Sequence, residues 1–171
     1  MSDVLDPLPT GWARPEGSGG FAPDATALAA VDAAARAIST VLAVEQVLQV
    51  IVERVRDLVS AQYAALGIVG VDGRIERFIT AGMDAHTRLE IGSLPSGRGL
   101  LGLIMREGRS YRIPSIADHP DSSGFPPHHP PMTSFLGVPV VAHGVSVGNL
   151  YLTNKRGAEE FSVTDLRLVE L

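Results

Sequence analysis

The residue pattern predicts an α+β protein built on an antiparallel sheet. Two observations carry this. Residues 63–82 and 134–155 each alternate with period two about a short turn, Asp72-Gly73 in the first and His143-Gly144 in the second, as hairpins do. Segments of helical period flank and separate these hairpins, without the strand–helix–strand alternation that builds a parallel sheet.

The elements follow in chain order. Residues 1–23 are rich in Pro and Gly, hold the single tryptophan, Trp12, and have no apolar period, so they read as a mobile tail ahead of one domain at 24–171. Leu28, Val31, Ala35 and Ile38 recur at helical spacing and predict a first helix ending near Ser39. Val44, Val47, Leu48, Ile51, Val52, Val55, Leu58 and Val59 mark a second helix, with Glu53, Arg54, Arg56 and Asp57 solvated. That stripe packs into a core or, in part, continues into a dimer interface. At Tyr63 the period changes to two, and Asp72-Gly73 offers the positive φ angles of a type I′ turn.

A short helix near 84–91 follows, then the loop GSLPSGRG, a helix over LLGLIMRE and a brief strand at YRIP. Ser115–Met132 has no period and carries five prolines and three histidines. Loops this long inside a compact domain are functional or disordered. SFLGVPVVA, the His143-Gly144 turn and VSVGNLYLTNK form the second hairpin. Ser162 opens the last helix, with Asp165 completing a capping box. Its Leu166 and Val169 stripe is unfinished at Leu171, so the chain reads as part of something longer.

Composition narrows the chemistry. At 171 residues, 45% hydrophobic and 19% charged, the chain has the length and apolar content of one packed domain. Zero cysteines exclude disulfides, iron–sulfur clusters, thiolate-ligated or thioether-attached haem and Cys-based zinc sites. A net charge of −5 with scattered arginines and Lys155 as the lone lysine gives no basic stripe for nucleic acid or an anionic membrane. No apolar run is expected to span a membrane and no signal peptide is evident, which makes a cytoplasmic protein the expectation.

Enzyme signatures are missing: GRGLLGL is no Walker loop, and there is no G-x-S-x-G elbow, H-E-x-x-H motif or paired-carboxylate cleft. Histidine-kinase motifs for ATP and phospho-acceptance are also absent. The chain is therefore expected not to be an enzyme. His86 and His143 read as solvated, and His119 is ambiguous. His128-His129 is more informative. A residue before proline is pushed out of the α region, so Phe125, Pro127 and His129 should be extended, and in extended chain the side chains of His128 and His129 point opposite ways, one inward and one outward. A single inward imidazole suits a metal ligand held in direction by its prolines, or a loop histidine bonded to a backbone carbonyl.

In VSVGNLYLTNK, Asn149, Tyr151 and Thr153 share one face, and Leu150 and Leu152 the other. Ala65 and Gly67 leave space on the first hairpin, and Phe78 closes that space from the next strand. Small, aromatic and few polar walls would suit a flat, largely apolar ligand; ordinary sheet packing is the alternative.

GFPPHHPPMTSFLGVPV followed by VGNLYLTNK resembles the first GAF domain of the actinobacterial haem sensor kinases of the DevS, DosS and DosT type. The similarity runs from about Val41 to Leu171, through LPSGRGLLGLI, SIADHP and FSVTDLRLVEL. The resemblance implies a GAF fold, with N- and C-terminal helices on one face of a central antiparallel sheet and a ligand pocket under loops and short helices on the other. It implies a non-covalent haem b. In these relatives the histidine directly before Pro-Pro-Met is the proximal iron ligand, which is His129 here. Their distal tyrosine falls on Tyr151, 22 residues further on. The implied signal is a diatomic gas (O₂, NO or CO) or a redox change, and the implied partner is a histidine kinase region, attached or separate, of a two-component system. A homodimer is a further expectation. The rival expectations are a GAF domain for another small molecule such as a cyclic nucleotide or metabolite, for whose polar groups the pocket wall offers few cations except Arg98, and a ligand-free dimerisation module.

Overall fold

The computed structural model describes residues 25–92 and 94–171. The expected tail over residues 1–23 and the side chain of Leu28 lie outside what it describes. By contacts the chain falls into two units, Met1–Ser39 and Thr40–Leu171. The sheet and its cavity belong to the second.

Strands β1 (Ala61–Val69), β2 (Ile75–Ala81), β3 (Tyr111–Ile113), β4 (Phe135–Ala142) and β5 (Val145–Lys155) form one antiparallel sheet in the order β2-β1-β5-β4-β3. The helices among the described residues are α1 (Ala25–Leu58), α2 (Ala85–Ile91), α3 (Gly99–Glu107) and α4 (Val163–Val169). The fold is α+β, as the hairpins and capping signals predict.

Central strand β5 sorts the core in two. Leu150 and Leu152 join Leu66, Leu136 and Val138 on one face, where they meet Val52 of α1, Val59 just past its end and Phe161 ahead of α4. Tyr151 joins Phe135 on the other face and meets Leu100, Leu103 and Ile104 of α3. Val52, Val59, Leu136, Leu152 and Phe161 are fully buried, each contributing about 1.5–3 kcal/mol over an exposed position.

The two predicted N-terminal helices are one. Thr40–Ala43, between them, holds no Pro or Gly to stop a helix. Ser39 does not cap a new helix; its hydroxyl donates back to the Ala35 carbonyl at 2.9 Å. Of the second stripe, Val52 and Val59 are buried and Leu48 and Val55 half-buried, while Val44, Val47, Ile51 and Leu58 are exposed. The continuous helix also corrects the expectation about apolar runs. Ala29–Leu58 is long and apolar enough to cross a membrane by length and composition, with a mean hydropathy of 1.5. Its Glu45 pairs with Arg77 of β2 at 3.6 Å, and Gln49 donates to the Thr80 carbonyl at 3.2 Å.

The turns depart from expectation at one end only. Asp72-Gly73 is no type I′ turn: Gly73 alone is left-handed, Gly73 N–H donates to the Gly70 carbonyl, and Gly70 N–H donates to the Arg74 carbonyl. This is a type I turn closed by a left-handed glycine, a three-residue loop. His143 and Gly144 do both take positive φ, 52° and 78°, and join β4 to β5 in two residues.

Helix α4 starts with the predicted capping box. The Asp165 carboxylate accepts from the Ser162 N–H at 2.7 Å, and the Ser162 hydroxyl accepts from the Asp165 N–H at 3.0 Å. Lys155 reaches across from β5 to donate to Asp165 at 2.9 Å and to the Val59 carbonyl at 2.9 Å. One carboxylate thus fastens α4 to the sheet and to the end of α1. Burial opposes ionisation of Asp165, but its hydrogen bonds from Ser162 and Lys155 outweigh this and hold the carboxyl below its ordinary 3.8. A depressed folded-state value gives stability that is complete above 3.8 and lost as pH falls through the lower, folded value. Asp165→Ala is expected to cost about 2–3 kcal/mol, read as a lower urea midpoint with unchanged slope. The gap between variant and parent should narrow once the pH drops below 3.8.

Candidate functional site

A cavity of about 510 Å³ lies on the Tyr151 face of the sheet. The sheet supplies Tyr63, Ala65, Phe78, Thr80, Phe135, Tyr151 and Thr153 as its floor. Ile91 of α2, Leu100 and Leu101 of α3, and Phe125, His129 and Met132 of the 115–132 loop line the rest. The volume and the mostly apolar wall suit a small-molecule site, for which ~300–1,000 Å³ is usual.

The proline–histidine loop is pinned at its base and its middle. Ile116 N–H donates to the Thr133 carbonyl at 2.7 Å, closing the base. Asn154, left-handed at φ 58°, accepts from Thr133 N–H at 2.8 Å and donates to the Pro131 carbonyl at 3.1 Å. Arg106 of α3 pairs with Asp121 at 3.5 Å. A loop without periodicity is thereby held by the strand that carries Tyr151.

Within it, His128 is not extended. It sits at φ 64°, and His129 N–H donates to the Pro126 carbonyl at 3.3 Å. This is a type II turn, with Pro127 at the position that favours proline and His128 at the one that demands positive φ. The two imidazoles are still separated, but by the turn rather than by strand alternation: His128 is exposed and His129 lines the cavity.

The His129 ring is fixed on two sides. Its Nδ1 lies 2.8 Å from the Pro130 carbonyl, which can only accept, so Nδ1 carries the proton and Nε2 keeps the free lone pair of the neutral ring. Phe125 stacks on it, centroids 4.7 Å apart and planes at 17°. Tyr151 lies on the floor between Phe78 and Phe135, 6.2 Å from each ring. Its hydroxyl donates to the Leu101 carbonyl at 3.4 Å, long for an O–H···O bond. Burial pushes that hydroxyl well above the usual phenol range, so it is neutral and a donor. His129, Tyr151 and Phe78, the three predicted site residues, line this one cavity.

Other expectations fare differently. Gly67 does not open space, since Tyr151, Ile75 and Phe78 cover it at 3.4–3.6 Å from where a Cβ would stand. Asn149 does not line the cavity. It is 1% exposed, and neither side-chain atom has a hydrogen-bond partner. His119 serves its own turn, accepting from Asp121 N–H at 3.2 Å. His86 is exposed beside Glu90, and His143 sits in its exposed turn. Sequence reasoning did not find Phe125 as the stacking partner of His129, Met132 as the acceptor of the Thr153 hydroxyl at 3.1 Å, or Arg88 of α2 in the cavity wall. Phe125 lies four residues before His129, a spacing that carries no helical or strand meaning in a proline-rich loop.

An antiparallel sheet with the long α1 and the short α4 packed on one face and a cavity on the other defines an α+β architecture. The GAF domain family matches residues 41–171, and the chain belongs to it. Similar solved structures include the GAF domain of a phosphoenolpyruvate-protein phosphotransferase from Coxiella burnetii, 23% identical over 73% of this chain and 74% of that one, with a TM-score of 0.62. A GAF domain/HD domain protein from Geobacter sulfurreducens is 16% identical over 74% and 84%, TM-score 0.59. Residues 122 to 287 of a methyl-accepting chemotaxis protein are 16% identical over 74% and 82%, TM-score 0.60. These likenesses establish the fold.

Proposed function

We propose that this GAF domain is a haem-binding sensor of a diatomic gas or of redox state, acting through a histidine kinase region of a two-component system and itself without catalytic activity. The observation that carries the reading is the state of His129: Nδ1 is tied to the Pro130 carbonyl, which leaves Nε2 as the ligating nitrogen on a residue of an apolar cavity. Among the described residues no three His, Asp or Glu side chains cluster as metal ligands. A lone imidazole holds iron when a macrocycle supplies the other ligands, and haem is such a group.

His129 would hold the group, with Phe125 and Pro130 fixing the ring's direction. When bound, haem b would supply an iron that takes O₂, NO or CO and that changes oxidation state reversibly. Phe78 and Phe135 flank the Tyr151 ring on either side. That hydroxyl holds its proton and its bond to the Leu101 carbonyl is long, so it is a donor for a diatomic in the cavity. The more negative charge a diatomic carries in the cavity, the more it would gain from such a donor.

The test is an absorption titration of the purified chain with haemin. A saturable Soret band at one equivalent supports the reading, and its absence leaves a GAF domain for another small molecule. Tyr151→Phe, which removes the O–H and keeps the ring, is expected to weaken O₂ about tenfold while leaving CO within about twofold, since a hydrogen bond to a charged acceptor is worth about 1.5 kcal/mol or more. Equal changes for both gases would remove Tyr151 from this role.

A further inference from the structure

The cavity's charge is one-sided. Its wall contains two arginines, Arg88 and Arg98, and no Asp or Glu among the described residues, in a chain whose net charge is −5. Acidic side chains elsewhere take up many of the arginines: Arg36, Arg56, Arg77, Arg106, Arg109 and Arg112 each pair with a carboxylate within 4 Å. Arg88 and Arg98 have no such partner among the described residues, and both are exposed.

Their placement is as telling as their charge. Arg88 lies in the last turn of α2, and Arg98 is the N-cap of α3. The connection between them contributes Gly92, Leu94, Pro95 and Ser96 to the same wall. Arg98 gives no side-chain cap to α3, so it adds its charge to a helix end whose first-turn N–H groups already favour an anion. The mouth is thus cationic and the floor, at Phe78, Tyr151 and Phe135, apolar and aromatic. A ligand matched to both is flat and apolar with its anionic groups along one edge.

We propose that Arg88 and Arg98 bind the propionate carboxylates of haem, so that the edge bearing them faces the mouth between α2 and α3. This rests on the haem reading above and adds the orientation of the group and a specificity for its acidic edge. Guanidinium forks match carboxylates, and exposed pairs of this kind contribute modestly and are screened by salt.

The test is haemin binding by the full chain, followed by its Soret band at low and high salt, for the parent, Arg88→Gln, Arg98→Gln and the double variant. Haemin dimethyl ester, whose carboxylates are capped, is titrated alongside. Both arginines are exposed, so the variants should fold, and circular dichroism checks this. The double variant is expected to bind haemin roughly three- to tenfold more weakly at low salt and to lose most of the salt dependence. The ester should bind parent and double variant alike. Parental haemin affinity and salt dependence in the double variant would overturn the arginine assignment and leave the haem reading standing. No saturable Soret band in the parent would overturn both.

Discussion

His129→Ala is expected to abolish stoichiometric uptake of haemin, while His128→Ala, one residue away, leaves the Soret band at parental height. The contrast follows from the turn. His128 takes the left-handed position, φ 64°, and is exposed; His129 follows it into the cavity wall. Removing His129 deletes the one imidazole of the wall together with its Pro130 hydrogen bond and its Phe125 stack, and no other His lines the cavity to replace it. Haemin left in the cavity would keep only apolar contact and its acidic edge, giving a weak, non-saturating absorbance. His129→Gly with added imidazole separates ligation from folding, because the free base can occupy the vacated space and restore the band. A saturable band of unchanged position in His129→Ala would take His129 out of the site and leave haem binding without the ligand assigned to it.

How far the sequence could carry this is itself a physical question. The hairpins, the Ser162–Asp165 capping box and the two faces of β5 were legible because each depends on neighbours within a few residues. Alternation puts Leu150 and Leu152 opposite Tyr151 whatever lies across the sheet. That one of His128 and His129 faces the cavity and the other away was legible in outcome but not in cause, and which one came only from the family resemblance. Alternation and a type II turn both separate the two rings, and only the backbone tells them apart. The type I′ signal at Asp72-Gly73 was misleading because the flanking Gly70 and Arg74 pair with each other and leave three residues to turn the chain.

The features that were not legible are long-range. The continuity of α1 is a matter of nothing interrupting it, and its exposed valines and leucines look in sequence like the buried ones beside them. Arg88 reads as one more polar residue of a short helix; its place in the cavity wall depends on where α2 comes to rest. Asn149 reads as a pocket residue by parity with Tyr151, yet it pairs with Gly67 on one side and Pro139 on the other and is closed off from the cavity.

Gly102 is the sharpest instance, and the stability of Gly102→Ala is expected to move against helix propensity. In the interior of α3 a glycine costs about 1 kcal/mol relative to alanine, so propensity alone makes this substitution stabilising. The surroundings decide otherwise. A Cβ at Gly102 would stand 1.9 Å from the Gly97 carbonyl oxygen and 3.1 Å from Arg106 Nη1. The arginine can swing away, but the carbonyl is backbone, and Gly97 itself holds a left-handed φ of 68°. Relief requires moving the 97–98 segment off α3, or lifting α3 from the sheet where Leu103 and Ile104 are buried. Overpacking of this kind costs about 1–3 kcal/mol and more where backbone must shift, so a net loss of about 2 kcal/mol is expected as a lower urea midpoint. Gly108→Ala is the control. Unlike Gly102 it has a left-handed φ, 61°, and nothing lies within 4 Å of its Cβ, so it should lose only about 1 kcal/mol from backbone strain. Because Arg98 follows Gly97, haemin affinity should fall in Gly102→Ala and hold in Gly108→Ala. A Gly102→Ala chain as stable as its parent would mean that the 97–98 segment yields freely, and the cavity mouth would then be adjustable rather than fixed by the close approach of two glycines.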